Sequence, residues 1–131
     1  MKVLALDYGR ARTGVAVSDP TGTIARPVGV VPGTDVAQIV QLIEEHGVER
    51  VVVGLPLTLR GERGPQAVET EAFIARLRSR CSIPILTEDE RLTTSIARRM
   101  PTTSRRRSTT SDDSQAAAVL LQTFLDRRAG A

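Results

Sequence analysis

Carboxylates are the groups in this sequence that are placed to do chemistry together. Asp7 directly follows the apolar run Val3 to Leu6, Glu88-Asp89-Glu90 form a cluster after a second apolar segment, and Asp112-Asp113 precede an alanine- and leucine-rich stretch. In α/β sheets, functional groups gather where strands reach their carboxyl ends and helices begin. Acids converging from three separated segments could hold one or two cations of the Mg²⁺ or Mn²⁺ type, which take oxygen ligands. A cation held this way clamps the attacking and leaving oxygens of a phosphodiester and lowers the pKa of a bound water. Plainer readings stand beside this one: Asp112 or Asp113 as a helix cap, Glu88 and Asp89 as solvated loop residues. Asp7 resists them, because an acid ending an apolar run before Tyr8-Gly9 sits where a central hairpin strand stops.

Composition narrows the alternatives. With one histidine, His46, and one cysteine, Cys81, the chain cannot build a His-based metal cage or a Cys-rich zinc site, and a Ser-His triad is hard to place. His46 reads as a helix C-terminal residue favoured by the dipole, and Cys81 as an incidental thiol. The formal net charge of +3 hides a cluster: five arginines and no acid lie between Arg98 and Arg107, and Arg10 and Arg12 follow Asp7. Guanidinium forks pair well with phosphate oxygens, so arginine beside carboxylates points to a polyanion presented to a metal. Aromatic residues are only Tyr8, Phe73 and Phe124, so recognition falls on backbone and shape rather than on stacked bases. The N-terminal apolar run is too short for a signal peptide and no segment approaches a membrane span, so a soluble cytoplasmic protein with no membrane partner is expected.

The elements that must position these groups follow from periodicity. Short β-prone runs at Val3 to Leu6, Gly14 to Val17 and Thr23 to Val31, joined through Gly9 and Asp19-Pro20-Thr21-Gly22, imply antiparallel hairpins. Val36, Ile39, Val40 and Ile43 mark one face of a helix that Thr34 or Asp35 can cap and Gly47 can end. The run within Arg50 to Leu57 reads as a central strand covered on both faces. A loop from Thr58 to Pro65, a helix from Gln66 to Arg80 with Val68, Ala72, Ile74 or Phe73, and Leu77 inward, and a strand at Ile83 to Leu86 follow. Pro84 suggests an edge or strand-start position for that last strand. A short helix near Thr94 to Met100 precedes a mobile loop at 101–111. A final helix begins near Asp112 or Asp113, with Ala116, Ala117, Leu120, Leu121 and Phe124 on its buried side. The expectation is one α/β domain over residues 1–131: a mixed sheet of three antiparallel strands followed by two parallel ones, with helices on both faces.

Four blocks in order, Asp7-Tyr8-Gly9-Arg10-Ala11-Arg12-Thr13-Gly14-Val15-Ala16-Val17-Ser18-Asp19, Val53-Gly54-Leu55-Pro56-Leu57, Asp89-Glu90-Arg91-Leu92-Thr93-Thr94 and Asp113-Ser114-Gln115-Ala116-Ala117 followed by Leu120-Leu121-Gln122, resemble the YqgF family, also called RuvX. They span nearly the whole chain. The resemblance implies an RNase H-like fold, a bacterial cytoplasmic protein, and a nuclease acting on the precursor of 16S ribosomal RNA. A competing description of the family is a Holliday junction resolvase, by similarity to RuvC-type enzymes. It implies Asp7, Glu90 and Asp113 as catalytic, metal-binding residues; Asp113 is preferred to Asp112 because two alanines follow it at the family's spacing. Two departures stand out: the loop after Gly54-Leu55-Pro56-Leu57, and Arg105, Arg106 and Arg107 where the family has lysines.

The leading expectation is therefore a Mg²⁺- or Mn²⁺-dependent endonuclease, with substrate held by Arg10, Arg12, Arg91, Thr93, Thr94, Arg98, Arg105 and Arg106. Its partners would be precursor rRNA or a four-way DNA junction, with ribosomal particles as further partners, and it would work as a monomer or homodimer. A non-catalytic nucleic-acid-binding adaptor on the same fold is the alternative of a different class. The Asp-x-Gly block also resembles the first phosphate loop of actin-like ATPases, but that architecture needs two lobes and a second loop.

Overall fold

A computed structural model describes residues 1–33, 35–90 and 109–130, the last segment by its backbone alone at 109–112 and 129–130. The strands are β1 (Val3–Asp7), β2 (Arg12–Ser18), β3 (Ala25–Pro32), β4 (Arg50–Leu55) and β5 (Ile85–Asp89). The helices are α1 (Val36–His46), α2 (Pro65–Arg78) and α3 (Thr109–Gly130). The strands form one five-stranded sheet in the order β3-β2-β1-β4-β5. β1 to β3 pair antiparallel, while β4 and β5 add parallel to β1 and to each other, as expected for an α/β mixed sheet.

The hairpins follow from local turn chemistry. Asp19 Oδ1 accepts from the backbone N–H of Thr23 at 2.7 Å and Ile24 at 3.0 Å, while Gly22 adopts φ +71°. These donors and the Thr21 hydroxyl pull the exposed Asp19 carboxyl down to about 2, the Ile24 N–H contributing most. Asp35 caps α1 by accepting from Gln38 N at 3.0 Å, and Gly47 ends it in the left-handed region at φ +63°.

Both faces of the sheet are covered. On one, Leu4, Leu6, Val15, Val17, Val51 and Val53 pack against Ile39 and Ile43 of α1 and Phe73, Ile74 and Leu77 of α2. On the other, Val3, Ala5, Ala16 and Val52 meet Ala117, Leu120, Leu121, Phe124 and Leu125 of α3. Val51, Val52 and Val53 are wholly buried, which is why the β4 sequence lacks polar alternation. Gln122 of α3 ties down the start of β3, accepting from Ala25 N and donating to Thr23 O.

Several boundaries differ from the sequence reading. β5 starts at Ile85 because its register on β4 pairs Val51 with Ile85, leaving Pro84 just outside the edge strand. Glu88 and Asp89 therefore belong to the strand, not to a loop after it. Val68 is 53% exposed and Ala72 is exposed as well, since the buried stripe of α2 runs through Ala67, Thr70, Phe73, Ile74 and Leu77. α3 begins at Thr109, so Asp113 lies inside the helix rather than opening it, residues 109–111 are helical rather than part of a loop, and Ala116 faces outward. The short helix expected near Thr94 to Met100 and the rest of the 101–111 loop lie outside the described residues, as does Thr34. Among the described residues no helix is long and apolar enough to cross a membrane.

Candidate active site

Asp7 ends β1, the middle strand, with a glycine on each side. In the antiparallel pair it faces Gly14 of β2; one step beyond the Leu6–Val53 pair of the parallel ladder comes Gly54 of β4. Each missing side chain admits a group carrying an acid. A Cβ on Gly54 would lie 2.6 Å from Glu90 Oε1 and 2.9 Å from its Cγ, so Glu90 lies across the bare backbone of β4 to reach Asp7. A Cβ on Gly14 would lie 2.0 Å from the Asp113 carbonyl oxygen, so α3 crosses directly on β2. Glycine within an apolar strand is a sign of such close approach, and it is the signal that finds these two positioning residues in the sequence.

Asp7 and Glu90 form a mostly buried carboxyl pair. Glu90 is pushed up to about 8, by burial first, then by the charge of Asp7 and the hydrogen bond to it, and by Asp89. Asp7 is also raised, by burial and by the charge of Asp113, against the opposing effect of the Glu90 hydrogen bond. Burial foremost, and the neighbouring charge after it, thus favour the protonated form of Glu90, and a hydrogen bond joins it to Asp7. Asp113 is turned to Arg12, whose Nε donates to its Oδ2. Among the described residues no three acid, histidine or cysteine side chains converge tightly enough to hold one ion.

The pair opens on a cleft of about 490 Å³ lined by Asp7, Tyr8, Arg10, Pro56, Gln66 and Glu69, among others. Arg10 lies at its rim, its Nε 2.9 Å from both carboxylate oxygens of Glu69. Tyr8 has one ring face covered by Phe73, with centroids 4.5 Å apart, so it contributes a wall rather than an open stacking platform. Glu88, paired with Gly54 of β4, shares with Asp7 the face of the sheet that α3 covers. It is buried beneath α3, where Arg127 donates to its Oε1 while, among the described residues, Oε2 has no hydrogen-bond partner. The acidic cluster in the sequence thus divides between a site residue, Glu90, and a buried ion pair. Arg91, Thr93, Thr94, Arg98, Arg105 and Arg106 lie outside the described residues.

The family described as "RuvX: Holliday junction resolvase" matches residues 1–127. The chain belongs to the RuvX family. A Chloroflexus aurantiacus relative bearing the name "Putative pre-16S rRNA nuclease" is 51% identical over 102 residues, covering 75% of this chain and 67% of that protein. One of the same name from Desulforudis audaxviator is 42% identical over 104 residues, covering 76% and 74%. Among solved structures, Thermus thermophilus RuvC in complex with a Holliday junction substrate superposes with a TM-score of 0.67 at 16% identity, covering 99% of this chain and 97% of that one. That likeness establishes the RNase H-like fold; in this RuvX chain the cleft opens where β1 ends in Asp7 and Glu90 follows β5. Membership makes the chain one of a family of nucleases, hydrolases of phosphodiester bonds, on a fold that generally works with divalent metal.

Proposed function

We propose that this chain is a divalent-metal-dependent endonuclease that trims the 5′ end of precursor 16S ribosomal RNA during ribosome assembly in the cytoplasm. The observation that carries the reading is the Asp7–Glu90 pair: two carboxyls pressed together at the mouth of an open cleft, sharing one proton. This oxygen-only donor set fits Mg²⁺ or Mn²⁺, because a cation in place of the proton offsets the burial, foremost, and the neighbouring negative charge that raise these carboxyls. Asp7 and Glu90 would be its ligands, and Asp113, near enough for its charge to act on Asp7, the third. When bound, such an ion supplies charge neutralisation on the phosphoryl group and a more acidic attacking water.

The chain's own residues do the rest. Gly54 lets Glu90 lie against β4 and reach Asp7, and Gly14 docks Asp113 at the same end of the sheet. Arg10 at the cleft rim offers its guanidinium to the backbone, and the arginines of the 91–107 segment, with Thr93 and Thr94, are assigned to further phosphates on their charge and hydrogen-bonding chemistry alone. The amino end of α2, with Pro65 and Gln66 on the cleft wall, adds a favourable dipole for a phosphate. RNA as substrate is supported by the names of the relatives described above. Cleavage of a four-way DNA junction is the second reading, supported by the family's description.

Side-by-side digestion decides between them. RNA carrying the 16S 5′ extension and a mobile four-way DNA junction are incubated with the protein in Mg²⁺ and in Mn²⁺, with Asp7→Asn as control. Discrete cuts in the RNA, absent in the control, are expected; symmetric cuts in the junction with intact RNA would transfer the assignment to resolution. Tight binding of RNA with no cleavage under any metal would favour the adaptor reading.

A further inference from the structure

Asp113 belongs to the proposed catalytic set, yet the structure gives its carboxylate to Arg12. Two features make this partnership exchangeable. The backbones are fixed: the Asp113 carbonyl presses on Gly14, and Arg12 begins β2, paired with Pro32 of β3. The side chains are not, being 39% and 32% exposed, and ion pairs at that exposure hold their partners weakly. Rotation of the Asp113 side chain alone decides whether its carboxylate meets Arg12 or turns toward Asp7, whose ionisation already responds to its charge.

We infer that Arg12 is a positioning residue, the resident counter-ion of Asp113, displaced when a divalent cation binds and thereby released to take a backbone phosphate. The inference rests on the metal-dependent reading of the Asp7–Glu90 pair. In the resting protein a cation meets two carboxyls and must draw the third away from a guanidinium. A polyanion that engages Arg12 performs that step in advance, so substrate and cation strengthen each other's binding. Arg12 thus differs from Arg10, whose partner Glu69 lies on the cleft wall outside the acidic set.

The test is calorimetric titration of the full chain with Mn²⁺ alone, without nucleic acid, at one pH and ionic strength. Arg12→Gln is expected to bind Mn²⁺ about tenfold more tightly than the wild type, in the range for groups that orient metal ligands. Arg12→Lys, which keeps a cation beside Asp113, returns the affinity toward wild type. Asp113→Asn, which removes a proposed ligand, weakens Mn²⁺ binding, and in that background Arg12→Gln gives no gain, the mark of direct coupling. Arg63→Gln, at an exposed ion pair with Glu71 that belongs to no part of the site, removes an equal charge and leaves Mn²⁺ affinity within about twofold of wild type, since long-range repulsion between exposed charges is screened. Equal or weaker binding by Arg12→Gln, or a gain that survives Asp113→Asn, overturns the inference while leaving the metal site intact. Absence of Mn²⁺ binding in every variant and the wild type overturns both the inference and the reading beneath it. Urea midpoints confirm that each variant folds before its titration is interpreted.

Discussion

Glu90→Gln should cost activity and return stability, in a pH-dependent way that the carboxyl pair dictates. Glu90 is raised from 4.5 to about 8 in the folded chain. A group whose folded pKa is raised contributes stability that is complete below its unfolded pKa and disappears as pH climbs through the folded one. Between about pH 4.5 and 8, then, the metal-free protein loses stability as the unfolded chain ionises Glu90 and the folded chain resists. The full displacement at ~1.4 kcal/mol per pH unit would be roughly 5 kcal/mol, and contact with solvent at the cleft brings it to roughly 2–3 kcal/mol. Asp7, raised as well, acts in the same direction. Glutamine keeps a neutral hydrogen-bonding group against Gly54 and cannot ionise, so its stability should run nearly flat over the window. The chain has no tryptophan, so urea unfolding is followed by far-ultraviolet circular dichroism, in chelator, at intervals from pH 5 to 9. The two proteins should match near pH 5 and separate by roughly 2–3 kcal/mol at pH 9, with the variant more stable, a gap of about 10 °C in Tm for a domain of this size. Curves that stay parallel throughout would refute the shared-proton pair.

Other consequences follow from the same geometry. Because a cation must displace the shared proton, Mn²⁺ affinity should rise up to about tenfold per pH unit between pH 6 and 8 and then level off, as read by titration calorimetry; a pH-independent affinity would contradict the pair. Gly54→Ala should push Glu90 off β4 with about 1 kcal/mol or less lost in urea, while nuclease rate falls at least a hundredfold. Gly14→Ala meets backbone rather than a flexible side chain, so it should destabilise by about 3 kcal/mol and loosen α3 in hydrogen exchange. Arg127→Ala strips the buried Glu88 of its donor and should cost about 2 kcal/mol of urea stability, with Glu88→Gln in the same background restoring part of it.

Sequence and structure agree most where one local rule governs. The Val51–Val53 run, the Asp35 cap, the Gly47 stop and the Asp19 turn each carry their own instructions, and Asp7 was marked by its place at the end of an apolar run. The misplaced features depend on distant partners. Pro84 and Ile83 fit a strand start until the β4 register assigns that role to Ile85. Glu88 reads as a loop residue because acids are scarce in strands, and only Arg127, thirty-nine positions on, explains its burial. Thr109 to Ser111 have weak helix propensity, so the extra turn of α3 is invisible from composition. Arg12 reads as a phosphate ligand on charge pattern, but its pairing with Asp113 spans 101 positions and required the fold. Gly14 and Gly54 were visible as motif residues, while their purpose, leaving room for two acids beside a third, appears only when β2, β1 and β4 lie side by side.

The central claim is that Asp7, with Glu90, holds the cation on which hydrolysis depends. Its most direct measurement is the single-turnover rate of precursor RNA cleavage in Mn²⁺ for the wild type, the wild type with chelator, and Asp7→Asn shown to be folded by circular dichroism. Cleavage at a discrete site that vanishes with chelator and falls by about a thousandfold or more in Asp7→Asn is the predicted result. Undiminished cleavage by Asp7→Asn, or by the wild type in chelator, would contradict it.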